Sequence, residues 1–136
     1  MKFAFMSFST PEMNLEEMLA MASWLGYEGV EPRLDTTHQH GVETTCTATQ
    51  RRAIRRQTQE HGVELACLAT SCRYADPEQR ERMVDDTRKR IDLAADVGAP
   101  RLRVFGGQFP DAISREDAIN GVADALSQLA DDAQKA

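Results

Sequence analysis

The sequence predicts an α/β fold of four consecutive βα units, forming half of a (βα)8 barrel with parallel strands. Apolar strand-like runs begin near Lys2, Gly29, Glu64 and Arg101, and a capped helical pattern follows each of them. The 136 residues are also about half of the roughly 250 that eight such units require. Residues 1–136 therefore read as a single half-barrel domain, (βα)4.

Each helix is predicted from its ends. Asn14 with Glu17 three residues on forms a capping-box pattern, Met18, Leu19, Ala22 and Leu25 make one apolar stripe, and Gly26 stops the helix. Thr47 with Gln50 starts the second, whose Arg51-Arg52-Ala53-Ile54-Arg55-Arg56 segment has a thin apolar face before Gly62. That arginine cluster reads as a solvated surface. Asp76 and Pro77 supply an N-cap and first-turn pair for the third, with Met83, Thr87, Ile91 and Ala94 along one face and Gly98 and Pro100 closing it. Ser114 with Asp117 opens the fourth, where Ile119, Val122, Leu126, Leu129 and Ala133 are the predicted buried stripe.

The strands differ in character. Phe3 to Phe8 and Leu65 to Thr70 are nearly continuous apolar or small runs, the pattern of parallel strands covered on both faces. The run from Arg101 to Phe105 alternates, which sends Leu102 and Val104 to one face and the two arginines to the other. Pro32 has no N–H for a ladder, so pairing of the second strand is predicted to end near Glu31, or a bulge to start there.

Composition narrows the class. No apolar run approaches the ~20 residues of a membrane span, and Phe3, Ala4 and Phe5 follow the start at once, which predicts a cytoplasmic protein with no membrane partner. Cys46, Cys67 and Cys72 lack zinc-ribbon or C-x-x-C spacing and read as buried or incidental thiols. A net charge of −6 repels a phosphate backbone and argues against nucleic acid.

In parallel βα folds the loops leaving the C-terminal strand ends share one face, where ligands are handled. The loop after the second strand is the densest in polar groups, with Glu31, Arg33, Asp35, His38, His40 and Glu43. His38 and His40, two apart in an extended segment, would put both imidazoles on one side, as a solvated loop, as substrate contacts or as metal ligands. Arg33 and Arg73 stand just past strand ends and are suited either to a bidentate clamp on a carboxylate or phosphate or to pairing with Glu31 or Asp76. Glu31 is either a base or hydroxyl acceptor or a salt-bridge partner. Gly106 and Gly107 permit close approach of a ligand, or serve a turn.

The run Gly26-Tyr27-Glu28-Gly29-Val30-Glu31 with Arg33, then His38-Gln39-His40-Gly41-Val42-Glu43, then Arg103-Val104-Phe105-Gly106-Gly107 resembles the N-terminal half of xylose isomerase-like sugar or sugar-phosphate isomerases and epimerases. The resemblance implies a TIM barrel with a divalent metal (Mn²⁺, Mg²⁺ or Zn²⁺) that shifts a proton next to the carbonyl of a small carbohydrate or hydroxy-keto substrate. It also implies that the metal-binding and catalytic Glu, Asp, His and Glu come from strands five to eight, which have no counterpart here. No catalytic residue and no metal ligand is therefore assigned, and tight metal binding by this chain alone is not expected. The substrate rim maps to Glu31, Arg33, His38, His40, Arg73 and Gly106. Endonucleases of the same superfamily use early-strand histidines as zinc ligands on abasic DNA, a branch that the acidic balance disfavours.

Four parallel strands leave two open edges, so the half barrel is expected either to be completed by a second copy, as a homodimer or higher homo-oligomer, or to be the first part of a longer chain. The functional expectation is an isomerase or epimerase, with a catalytically inactive folding or interaction module as the alternative. An open flavodoxin-like sheet is a further reading, but no Gly-rich phosphate loop precedes the first helix.

Overall fold

The computed structural model describes every residue from Met1 to Ala136. Five strands, β1 (Ala4–Met6), β2 (Gly29–Glu31), β3 (Glu64–Leu65), β4 (Leu68–Arg73) and β5 (Leu102–Phe105), alternate with four helices, α1 (Leu15–Leu25), α2 (Ala48–His61), α3 (Pro77–Val97) and α4 (Arg115–Lys135). The chain divides into two compact units, Met1–Thr70 with Leu93–Arg103 and Ser71–Asp92 with Val104–Ala136.

Pairing follows chain order. β1 pairs in parallel with β2, Phe5 opposite Val30, and β2 pairs in parallel with β3, Val30 opposite Leu65. β4 pairs with β5. The Leu68 N–H donates to the Arg101 carbonyl and the Tyr74 N–H to the Gly106 carbonyl, so donor and acceptor advance together, as in a parallel ladder.

β3 and β4 are two stretches of the third predicted strand, and their break has a cause in β2. The register is Val30 opposite Leu65 but Arg33 opposite Ala69, so Ala66, Cys67 and Leu68 face only Glu31 and Pro32. That one-residue excess is a β-bulge beside a proline that has no N–H to contribute. Regular pairing of β2 ends at Glu31, as Pro32 led us to expect, while the continuous run from Leu65 to Thr70 is corrected to an interrupted one.

The helix ends form as their sequences require. Asn14 and Glu17 bond each other's main chain, as do Thr47 and Gln50. Asp76 accepts from the Glu78 N–H at 3.0 Å and from the Gln79 amide at 2.8 Å, and Ser114 accepts from the Asp117 N–H at 3.0 Å. Gly26 takes up the left-handed conformation that ends α1.

The core of the first unit gathers Leu15, Met18, Leu19 and Ala22 of α1, Val30, Leu65, Ile54 of α2, and Leu93, Ala94 and Val97 of α3. In the second unit Tyr74 is fully buried and its hydroxyl meets Thr87 Oγ1 at 2.8 Å, while Thr87 donates to the Met83 carbonyl. Three expectations of burial are corrected. Phe3 and Phe8 lie beyond the paired residues of β1 and are exposed, as is Leu25 at the end of α1. On α4 the buried face is Ala118, Gly121, Ala125 and Leu129, whereas Ile119 and Leu126 are 52% and 45% exposed. Small residues are selected there because the Arg80 guanidinium, which donates to the Tyr74 and Ala75 carbonyls, lies directly over Gly121.

Candidate functional site

Met6 and Glu31 close the first two strands, and the turns that follow carry the polar groups of the first unit. Ser7, fully buried just after β1, accepts the main-chain N–H of Arg33 at 2.9 Å and meets His38 Nδ1 at 2.9 Å. Having accepted from Arg33, the hydroxyl still has its own hydrogen to offer the imidazole. The His38 ring also stands edge-on to Phe8, 5.1 Å between centroids, and to His40, 6.1 Å away.

The two histidines are not equivalent. His40 is 4% exposed, its Nδ1 accepts the Val42 N–H at 3.0 Å, and its Nε2 lies 3.0 Å from the Arg33 carbonyl. An N–H donated to Nδ1 requires the ring hydrogen on Nε2, so this is one fixed neutral tautomer tying Arg33 to Val42. Burial holds its pKa below the ordinary 6.5, against the opposing pull of the Arg33 carbonyl. The segment between them is bends and turns, not extended backbone, and Asp35 within it has φ 60° with its N–H held by the Glu43 carboxylate at 3.0 and 3.2 Å. Arg33 turns its guanidinium to the Thr70 carbonyl.

Glu31 pairs with neither Arg33 nor Arg73. Its Oε1 accepts from Arg103 Nε at 2.9 Å, and Arg103 Nη2 lies 3.4 Å from Met6 Sδ. The alternation of β5 is as read: Leu102 packs on the core while Arg103 takes the other face. Cys67, in the bulge, feels both charges. Its thiol pKa is raised by burial first and then by Glu31.

In the second unit, Arg73 is exposed and its aliphatic stem lies against Gly107, whose φ is 91°. The Gly106 carbonyl accepts the N–H groups of Tyr74 and Ala75 at 3.0 and 2.8 Å, which is turn chemistry. Of the six predicted rim residues, the first unit thus holds Glu31, Arg33, His38 and His40, and the second holds Arg73 and Gly106. Sequence pattern alone does not mark Ser7 or Arg103 as site residues, although the alternation of β5 sets Arg103 apart from the core face.

No three His, Cys, Asp or Glu side chains converge in a way that could hold a metal ion. With both nitrogens of His40 given to the main chain, the donor set present does not fit the divalent ion that the resemblance implies.

A parallel strand-helix succession with polar groups at the strand ends defines one half of a (βα)8 barrel. A family model described as "Xylose isomerase-like TIM barrel" matches residues 19–136, and the chain belongs to that family. Among solved structures, a putative xylose isomerase from Rhodospirillum rubrum shares 15% identity at a TM-score of 0.78, covering 99% of this chain and 51% of the other. A D-psicose 3-epimerase crystallised with D-fructose shares 13% identity at 0.73, covering 99% and 49%. A probable 3-DHS dehydratase of petrobactin synthesis from Bacillus anthracis shares 17% at 0.74, covering 97% and 49%. Such identities show the fold, and the chain spans about half the length of these structures. A comparison with curated proteins gives no match. No helix is long and apolar enough to cross a membrane.

Proposed function

We propose that this chain is the substrate-holding half of an isomerase or epimerase that moves a proton next to the carbonyl of a small sugar or sugar phosphate. The observation that carries the reading is the family match over residues 19–136; that Glu31, Arg33, His38 and Arg103 belong to the same unit as the ends of β1 and β2 supports it. His38 offers a ring nitrogen beside Ser7, Arg103 offers donors, and the Glu31 carboxylate accepts. These groups bind and orient a polyhydroxy ligand. The divalent ion common to the family would be held by residues outside this set, supplied by a further segment or a second copy. The protein works in the cytoplasm as a homodimer, on a carbohydrate rather than a nucleic acid, in keeping with its net charge of −6.

The test is solvent exchange. With Mn²⁺ and the segment or second copy that completes the barrel both present, ketoses incubated in D2O are expected to lose the proton signal next to the carbonyl in ¹H NMR spectra. A second reading, a catalytically inactive folding or interaction module, is favoured by the absence of a metal-capable cluster. It is the one left standing if no ketose exchanges and Mn²⁺ and Zn²⁺ titrations show no tight binding.

A further inference from the structure

We propose that the Glu31–Arg103 pair reads a vicinal diol of a carbohydrate and disfavours a phosphate or carboxylate group placed at the pair itself. This rests on the reading of the chain as the substrate-holding half of a carbohydrate enzyme.

The pair is built across the sheet. Glu31 ends β2 and Arg103 lies in β5, with β3 and β4 between them in the pairing order, so their 2.9 Å bond passes over intervening backbone. Val30 and Leu102, their chain neighbours, pack on the helix-covered core, which places the pair on the opposite face. The side chains of Arg103 and Glu31 are 37% and 23% exposed, open enough to meet a ligand and sheltered enough for the bond to outweigh screening by water.

The chemistry of the pair is a donor fork beside an acceptor. A hydroxyl both gives and receives, so of two adjacent hydroxyls one donates to the Glu31 carboxylate while the other accepts from the Arg103 guanidinium. Arg103 Nη2 lies at 3.4 Å from Met6 Sδ, a weak acceptor that a hydroxyl oxygen improves upon. A phosphate or carboxylate only accepts. To reach Arg103 it must compete with Glu31 for the fork and sit beside a negative charge.

The experiment follows the Arg103 Nε–Hε signal in ¹H–¹⁵N spectra of the full chain, assigned through Arg103→Lys, during titration with D-fructose, D-fructose 6-phosphate and D-gluconate. D-fructose is expected to move this signal, to bind at least tenfold more weakly to Arg103→Lys and Glu31→Gln, and to bind no more weakly than its 6-phosphate. Tenfold tighter binding of the phosphate or of gluconate, tightening further in Glu31→Gln, overturns the diol assignment. So does D-fructose binding that shifts Ser7 and His38 but leaves the Arg103 signal and both variants unaffected, a result that leaves the carbohydrate function standing. No response to any probe overturns both. The wild-type signal, which triple-resonance spectra assign independently of the variants, decides the question even if a variant fails to fold.

Discussion

Ser7 joins two strand ends through one oxygen, and its replacement tests how much the candidate site depends on it. Ser7→Ala removes the acceptor of the Arg33 N–H and the partner of His38 Nδ1 inside a fully buried position. The expected cost is about 1–3 kcal/mol, read as a lower urea midpoint at unchanged slope. A loss below about 0.5 kcal/mol, the range of ordinary surface substitutions, would mean that the oxygen is dispensable. His40 gives a prediction in pH. Its folded-state pKa is lowered from 6.5, so the unfolded chain takes up the proton first. The contribution of neutral His40 is therefore complete above pH 6.5 and is lost as pH falls from there through the lower folded value. Urea midpoints should drop between pH 7 and pH 5, and the His40 ring should titrate below 6.5 in NMR spectra. A midpoint at or above the ordinary value would contradict the buried neutral tautomer. The sequence shows two histidines two residues apart, but only the fold reveals that one is a main-chain brace and the other faces Ser7, because that difference depends on where turns set the Val42 N–H and the Arg33 carbonyl.

At the scale of elements, the strongest local dependence is the turn after β5. Gly107 has φ 91°, and a Cβ there would stand 2.8 Å from Arg73 Cβ. Gly107→Ala is expected to cost about 1–3 kcal/mol from backbone strain alone, with the Arg73 stem displaced in addition. An unchanged thermal midpoint would show that this turn relaxes freely. Helix starts and stops were legible because capping is local: Asn14 with Glu17, Thr47 with Gln50, Asp76 with Pro77 and Ser114 with Asp117 each satisfy their own end. The buried face of α4 was not legible, since periodicity favoured the larger side chains at Ile119 and Leu126. Tertiary packing instead chose Gly121 and Ala125, where Arg80 needs room. Likewise Pro32 announced the end of β2, but the extra residue in the partner strand is a relation between two segments 35 or so positions apart. The bulge matters for the site because it sets Cys67 beside Glu31 and Arg103.

For the molecule as a whole, the proposed homodimer makes a prediction that its one tryptophan can report. β1 pairs only with β2 and β5 only with β4, so each is an end of its sheet, and end strands of parallel sheets are templates for further pairing. In the first unit, Phe3 just before β1 and Trp24 and Leu25 at the end of α1 are 54%, 83% and 51% exposed, and in the second unit Ile119 and Leu126 of α4 are exposed as well. Apolar side chains of this size left in water cost roughly 25 cal/mol for each Å² that a partner would cover, and concentrations of them mark association surfaces. Charge opposes the assembly: each copy carries −6, so self-association should strengthen as salt rises and screens that repulsion. Light scattering is therefore expected to give a mass above the 15.2 kDa of one chain, rising with concentration and with added salt. Trp24 emission should shift to shorter wavelength over the same range as that surface loses water. Replacing Trp24 by Glu should weaken association without lowering the unfolding midpoint of the dilute protein, because an 83% exposed side chain contributes little to the chain's own core. A stable, cooperatively unfolding monomer whose Trp24 emission stays unchanged up to high concentration would rule out a second copy as the cover for these edges.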